Sequence, residues 1–459
     1  MTVEPRLVPP RREARAQGLG RWPVAFAPRF FLALIVGLVW LGPAWWNLRL
    51  GALMLVWDAL VLLIWWGDLR RLPRPSEVTL AREWTEAVSL GRPCLVKLKV
   101  CATGKTAVLV TLEDEVPESV SARPARIEWV APPGRSSEGS YSFEPTGRGD
   151  AHWGRVFARY RSALQFAERR VVADLAQTVR IYPDLETAKK MSLYLLRSRQ
   201  IELEKRLQVH PGRGREFESL REYRQGDELR DICWTATARR ARLVTRTYRP
   251  ERSQTVFLVM DLGRLMMARS GSFTKLDDAV AAALSLAQVA LAGGDSVGLI
   301  AYDRTIQARL NPSRGSSHLR LILEQLALAR GVLTEADHSR AAEILLKSQR
   351  RRALVVWITD LAETAATPEV IESAMRLLPR HLVLFAVMGQ PEFAALLSHS
   401  PETKDEMYRY AAAMELRSRR EMLMRRLHER GALTLEASSG RLATVLVNSY
   451  LRVKEESLL

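Results

Sequence analysis

Two apolar runs near the N-terminus constrain this 459-residue chain more than any other feature. Residues 30–41 read FFLALIVGLVWL, and WPVAFAP extends that run back to Trp22. Residues 50–67 read LGALMLVWDALVLLIWWG, interrupted only by Asp58. Each run reaches the roughly 20 apolar residues that cross a bilayer. Together they predict a transmembrane hairpin with helices over about 24–42 and 49–67. The connecting GPAWWNLR holds the turn formers Gly42, Pro43 and Asn47. Trp45 and Trp46 at one end, and Trp65 and Trp66 at the other, suit interfacial aromatic belts. A cleaved signal peptide fits poorly, because no small-residue cleavage site follows the first run and a second run comes soon after.

Arginine placement orients the hairpin. Arg6, Arg11, Arg12, Arg15, Arg21 and Arg29 precede it, Arg70, Arg71 and Arg74 follow it, and the link has only Arg49. The positive-inside rule then puts both termini in the cytoplasm, with the chain as a multi-pass protein of the cytoplasmic (inner) membrane. Asp58 is costly in mid-helix and has no ionisable neighbour in the other run, which suggests packing or assembly rather than a conduit.

Charge enters here. Lys and Arg number 68 against 51 Asp and Glu, a net +17. The excess is spread along the chain with no basic block interleaved with aromatics, so nucleic acid is not an expected partner. Cys94, Cys101 and Cys233 show neither a disulfide framework nor zinc-ligand spacing. A reducing compartment is expected.

Residues 1–71 are therefore assigned to an N-terminal tail and the hairpin, and 72–183 to a small β-sandwich. VTLAREW, CLVKLKVCA, AVLVTLED and ARIEWVA alternate apolar and polar residues between turn signals at Gly91-Arg92-Pro93, Thr103-Gly104-Lys105 and Pro132-Pro133-Gly134. Gly104-Lys105-Thr106 mimics the end of a phosphate-binding loop, but Lys99 stands where that motif needs glycine and two strands flank it. A hairpin turn is expected there. Over 255–459, TVFLVMD, SVGLIAY, ALVVWITD, HLVLFAV and ALTLEA read as buried strands between helices such as LDDAVAAALSLAQVALA and a long charged one at about 404–430. This alternation predicts an α/β doubly wound parallel sheet. Asp261 and Asp360 end two strands, where ligands of such sheets bind. Helix capping at strand-to-helix turns would equally favour Asp there.

Residues 184–254 form a linker helix, about 187–209, and a charged segment. That segment carries Gly214-Arg215-Glu216-Phe217, Leu220-Arg221-Glu222-Tyr223, Gly226-Asp227, Arg230-Asp231-Ile232, Trp234 and Ala238-Arg239. Its aromatics beside Arg/Asp pairs suggest a fixed hydrogen-bonded network of Arg215, Glu216, Arg221, Asp227, Arg230, Asp231, Trp234 and Arg239 that couples domains. The string resembles the signature of the domain of unknown function 58 family, with Cys233 standing where that family usually has Asp. The resemblance implies that 255–459 is a von Willebrand factor A-like domain. It also implies a metal-ion-dependent adhesion site at Asp261, Thr334 and Asp360, degenerate because Gly263 and Leu265 replace two serines. Mg2+ or Mn2+ would be the ion, and no cofactor is certain. It further implies a protein-interaction and assembly module working with a MoxR-type AAA+ ATPase on client proteins. No HExxH, GxSxG or dinucleotide motif is present, so catalysis is not expected. The alternative is a hydrolase or peptidase with an unrecognised active site.

Overall fold

The computed structural model describes residues 7–20, 22–46, 51–104, 106–122, 126–184, 216–224, 229–249, 253–361, 369–390, 395–438, 440–456 and 458. The chain divides into two compact units, Met1–Asp184 and Leu185–Leu459.

The first unit is an antiparallel sandwich. One sheet runs in the order Arg12–Arg15, Val78–Trp84, Cys94–Ala102, Ser136–Pro145, Val120–Ala122. The other runs Gln17–Gly18, Ala167–Ala173, Val156–Arg161, Val108–Asp114, Arg126–Ala131, and Val24–Phe26 also pairs with Ala167–Ala173. Period-2 alternation sends Val96, Leu98 and Val100 from one sheet and Val108, Val110 and Leu112 from the other into one core. Arg82 and Asp114 are both fully buried in that core and paired with each other. Tyr141 donates to Asp114 Oδ2 at 2.6 Å, and Arg82 Nη1 donates to the Leu175 carbonyl at 2.8 Å. The pair is thus hydrogen-bonded on several sides, as a buried pair must be.

Two expectations change here. Arg12–Arg15 and Gln17–Gly18, assigned to the tail, and Val24–Phe26, assigned to the start of the first transmembrane helix, are sandwich strands, because their backbone groups pair with strands of the two sheets. The segment after Cys94–Ala102 is not a hairpin turn. The strands on either side belong to different sheets, so it crosses over between them. It still joins strand to strand, and a phosphate-binding loop remains excluded.

Between Phe26 and Val78 the chain leaves this sandwich and returns to it. Pro28 opens a helix over Pro28–Gly37, which continues as a 3-10 turn, Leu38–Trp40, and a helical turn, Leu41–Trp46. The return helix is Ala52–Arg71. Gly37 permits the close contact between them, because a Cβ there would lie 2.5 Å from Trp57 Cδ1. Trp57 Nε1 donates across to the Ala33 carbonyl at 2.8 Å. Among the described residues, Ala52–Arg71 begins the one helix long and apolar enough to cross a membrane.

The second unit holds a six-stranded sheet. Its elements are β1 (Thr255–Asp261), α1 (Lys275–Ala292), β2 (Ser296–Tyr302), β3 (Ile306–Ser313), α2 (Ser316–Leu328), α3 (His338–Ser348), β4 (Leu354–Thr359), α4 (Glu369–Leu377), β5 (Leu382–Met388), α5 (Lys404–Glu429), β6 (Leu433–Ala437) and α6 (Leu442–Glu455). The strand order is β3-β2-β1-β4-β5-β6, parallel except for β3. Residues of α3, α4 and α5 share a core cluster with one face of the sheet, while α1, α2 and α6 pack together. Strand order reverses between β1 and β4, which puts the ligand crevice of such a fold at their carboxyl ends. Ahead of the sheet, Glu216–Glu222 and Val244–Arg249 form an antiparallel ribbon with a bulge at Phe217/Ser219. The short helix Trp234–Arg240 lies between the two strands in sequence.

Candidate functional site

The reversal point gathers charge in a dry place. Asp261 ends β1 and Asp360 follows β4, and they are 3% and 1% exposed. Asp261 Oδ1 accepts the Gly263 N–H at 2.7 Å, and its Oδ2 accepts the Thr359 hydroxyl at 2.7 Å. Burial raises the Asp261 carboxyl above its ordinary range. Asp360 Oδ2 accepts Lys275 Nζ at 2.6 Å and Gln390 Nε2 at 3.3 Å. Its Oδ1 accepts Arg420 Nη1 at 3.2 Å. Lys275 opens α1 and Arg420 lies in α5, so the two cations reach Asp360 from helices on opposite faces of the sheet.

Behind Asp261 runs a buried aromatic chain. Trp357 Nε1 donates to the Tyr302 oxygen at 2.7 Å, and Tyr302 lies 2.7 Å from His338 Nδ1. An indole only donates, so the Tyr302 oxygen accepts from Trp357. Burial lowers the His338 pKa.

The structure thus brings Asp261 and Asp360 together on neighbouring strands. Thr334 is exposed on the loop before α3, and its carbonyl, rather than its hydroxyl, accepts from the Arg264 N–H at 2.9 Å. The donor set does not fit a divalent ion. Gly263 and Leu265 offer no side-chain oxygen, and all four carboxylate oxygens already accept hydrogen bonds, two of them from cations. A Cβ at Gly263 would lie 3.0 Å from Asp261 Oδ1 and 3.1 Å from the Ala336 nitrogen, so packing disfavours a serine there. Among the described residues no cluster of three or more His, Cys, Asp or Glu is placed to hold a metal.

Sequence reasoning missed Lys275, Arg420, Gln390 and Thr359. The first is visible in hindsight as a lysine in the first helical turn, where the macrodipole disfavours a cation.

The signature residues behave differently from the expected buried network. Arg215 and Asp227 lie outside the described residues, as does the linker helix, and only the backbone is described at Glu216 and Arg230. Arg221 Nη1 donates to the Glu222 carbonyl at 3.3 Å, and Asp231 is half-buried. Trp234 is 67% exposed and Arg239 is exposed, which removes both from a dry network. The two residues sit on a short helix with its outer side in solvent. Cys233, just before Trp234, lies 3.4 Å from the Thr235 hydroxyl, and that contact lowers the thiol to about 7. All three cysteines are free.

Against known proteins, residues 219–396 match the family described as "Protein of unknown function DUF58". An uncharacterised protein of Bacillus subtilis, YeaD, is 25% identical over 261 residues, which are 54% of this chain and 61% of YeaD. The uncharacterised Mycobacterium bovis protein Mb1516 is 29% identical over 154 residues, 33% of this chain and 48% of its own. The matched part of this chain thus spans less than two thirds of either relative. Among solved structures, BatB from Bacteroides thetaiotaomicron covers 44% of this chain and 99% of its own at 14% identity, with a TM-score of 0.33. An aerotolerance-related membrane protein from Bacteroides fragilis has the same coverage at 13% identity and a TM-score of 0.31. A von Willebrand factor type A protein from Catenulispora acidiphila is similar at 10% identity and a TM-score of 0.28. Residues 219–396 are thus similar to the DUF58 family, and the strand order of the second unit is that of a doubly wound sheet.

Proposed function

We propose that the chain is a protein-interaction and assembly module tethered to the cytoplasmic membrane by a two-helix hairpin, with both termini in the cytoplasm. One observation carries this reading: both ends of the apolar segment are fixed to the sandwich at Phe166. The Ala27 N–H donates to the Phe166 carbonyl at 2.9 Å. Asp68 Oδ2 accepts the Phe166 and Ala167 N–H groups at 3.1 and 2.9 Å. A segment that leaves and re-enters at one place crosses a bilayer an even number of times. At about 1.5 Å per residue, the helical stretch from Pro28 to Trp46 and the helix Ala52–Arg71 each reach about 28–30 Å, the thickness of a hydrocarbon core. The apolar window of the second helix is only 11% buried, unlike the core helix of a soluble domain. Ile35, Val39, Leu55 and Leu63 are all more than 60% exposed, a surface suited to lipid.

In this reading the A-like domain works on client proteins alongside a MoxR-type AAA+ ATPase, the partner implied by the family resemblance, and the net +17 favours acidic partners. Alkaline extraction tests the tether: the chain stays with the membrane pellet, and removing residues 28–67 releases it. Release of the intact chain would contradict the tether. For the partner, the ATP hydrolysis rate of a purified MoxR-type ATPase should change when the chain is added, and an unchanged rate would count against the pairing.

A further inference from the structure

We propose that Lys275 is the resident cation of the strand-end site. Its ammonium occupies the place beside Asp360 that a divalent ion would need, and the A-like domain is complete without metal. This inference does not depend on the membrane reading.

Three features of the site carry it. The first is position. Lys275 is the first residue of α1, where the helix dipole opposes a positive charge, and it is 5% exposed. An ammonium there suffers both desolvation and dipole repulsion unless an anion meets it. Asp360 Oδ2, 2.6 Å away, is that anion.

The second is charge balance. Asp360 meets both Lys275 and Arg420, and Arg420 also pairs with Glu436 at 3.2 Å, so each cation beside Asp360 already has an anion. A divalent ion placed beside Asp360 would be repelled by the two cations already bound to that carboxylate.

The third is that the protein side matches. The positions that would complete an oxygen shell are Gly263 and Leu265, and a Cβ at Gly263 would crowd Asp261 Oδ1 and the Ala336 nitrogen. A site that had merely lost ligands would leave carboxylate oxygens without donors. Here Arg420 from α5 and Lys275 from α1 supply them, and the Asp360 carboxylate joins helices on both faces of the sheet.

The experiment uses the full chain in detergent, titrated with Mn2+ and Mg2+ by calorimetry and melted with and without each ion. The wild type should show no saturable heat and no change in Tm up to roughly 10 mM, above the range of weak oxygen-ligand sites. Lys275→Met, which keeps bulk and loses charge, should melt several degrees lower. Lys275→Ala, which opens the position, should gain a Tm that rises with Mn2+, and Lys275→Arg should stay blind to both ions. Saturable wild-type binding that disappears in Asp360→Asn overturns the proposal. So does a Lys275→Met protein that melts like the wild type, or a folded Lys275→Ala protein that ignores Mn2+. If Lys275→Ala does not fold, the wild-type titration and Lys275→Met still decide.

Discussion

Lys275 Nζ stands 2.6 Å from Asp360 Oδ2 with both side chains buried, and Arg420 meets the other oxygen of the same carboxylate. Asp360→Asn would leave Lys275 facing a neutral amide and Arg420 with Glu436 as its remaining carboxylate. Removing one partner of a buried pair costs about 3–5 kcal/mol. Asp261, held by an amide and a hydroxyl, should lose only about 1–2 kcal/mol as Asn. Chemical denaturation of the two variants should therefore rank Asp360→Asn well below Asp261→Asn. The reverse order would mean that the cations are not committed to Asp360.

The sandwich offers a parallel case. Asp114 accepts from both Arg82 and Tyr141 at zero side-chain exposure of the ion pair. Asp114→Ala should cost about 3–5 kcal/mol, and Tyr141→Phe about 1–2 kcal/mol, because only one hydrogen bond is lost. Equal melting of the two variants would contradict this division.

How far the sequence reaches can be judged from these residues. The apolar run at 52–67, the alternation of Cys94–Ala102 and the buried strand Leu354–Thr359 were legible because each obeys a single period. Asp261 and Asp360 were legible as strand-end residues. Lys275 and Arg420 were not, since a cation 85 or 60 residues away from Asp360 acquires meaning only when helices of both layers close over it. The edge strand β3 was missed because its buried positions are few. Trp234 misled for the opposite reason: an aromatic among charges suggests burial, yet its side chain faces solvent.

His381 gives a pH dependence. It is 3% exposed, and neither ring nitrogen has a hydrogen-bond partner among the described residues. Burial, assisted by the Arg380 charge, lowers its pKa from 6.5 to about 4. The folded state therefore disfavours the proton that the unfolded chain accepts. Stability from this group is complete above pH 6.5, falls as pH drops from 6.5 toward about 4, and levels off below. The loss should be ~1–3 kcal/mol, and His381→Leu should flatten that part of the pH–stability curve. A variant curve parallel to that of the wild type would show that His381 is not the source.

Asp68 roots the second apolar helix in the sandwich through two backbone amides. Asp68→Ala should cost ~2–3 kcal/mol and speed hydrogen exchange at Phe166 and Ala167 while leaving the core strands protected. Unchanged exchange at those two amides would show that the root does not depend on Asp68.

The most direct test of the tethered-module account is a labelling experiment in membrane vesicles of known orientation. In a background lacking the three native cysteines, Trp45→Cys reports the far end of the hairpin and Arg135→Cys reports the exposed rim of the sandwich. With a membrane-impermeant maleimide, the account predicts that Trp45→Cys reacts only from the outside and Arg135→Cys only from the cytoplasmic side. Reaction of both positions from the same side would contradict a spanning hairpin.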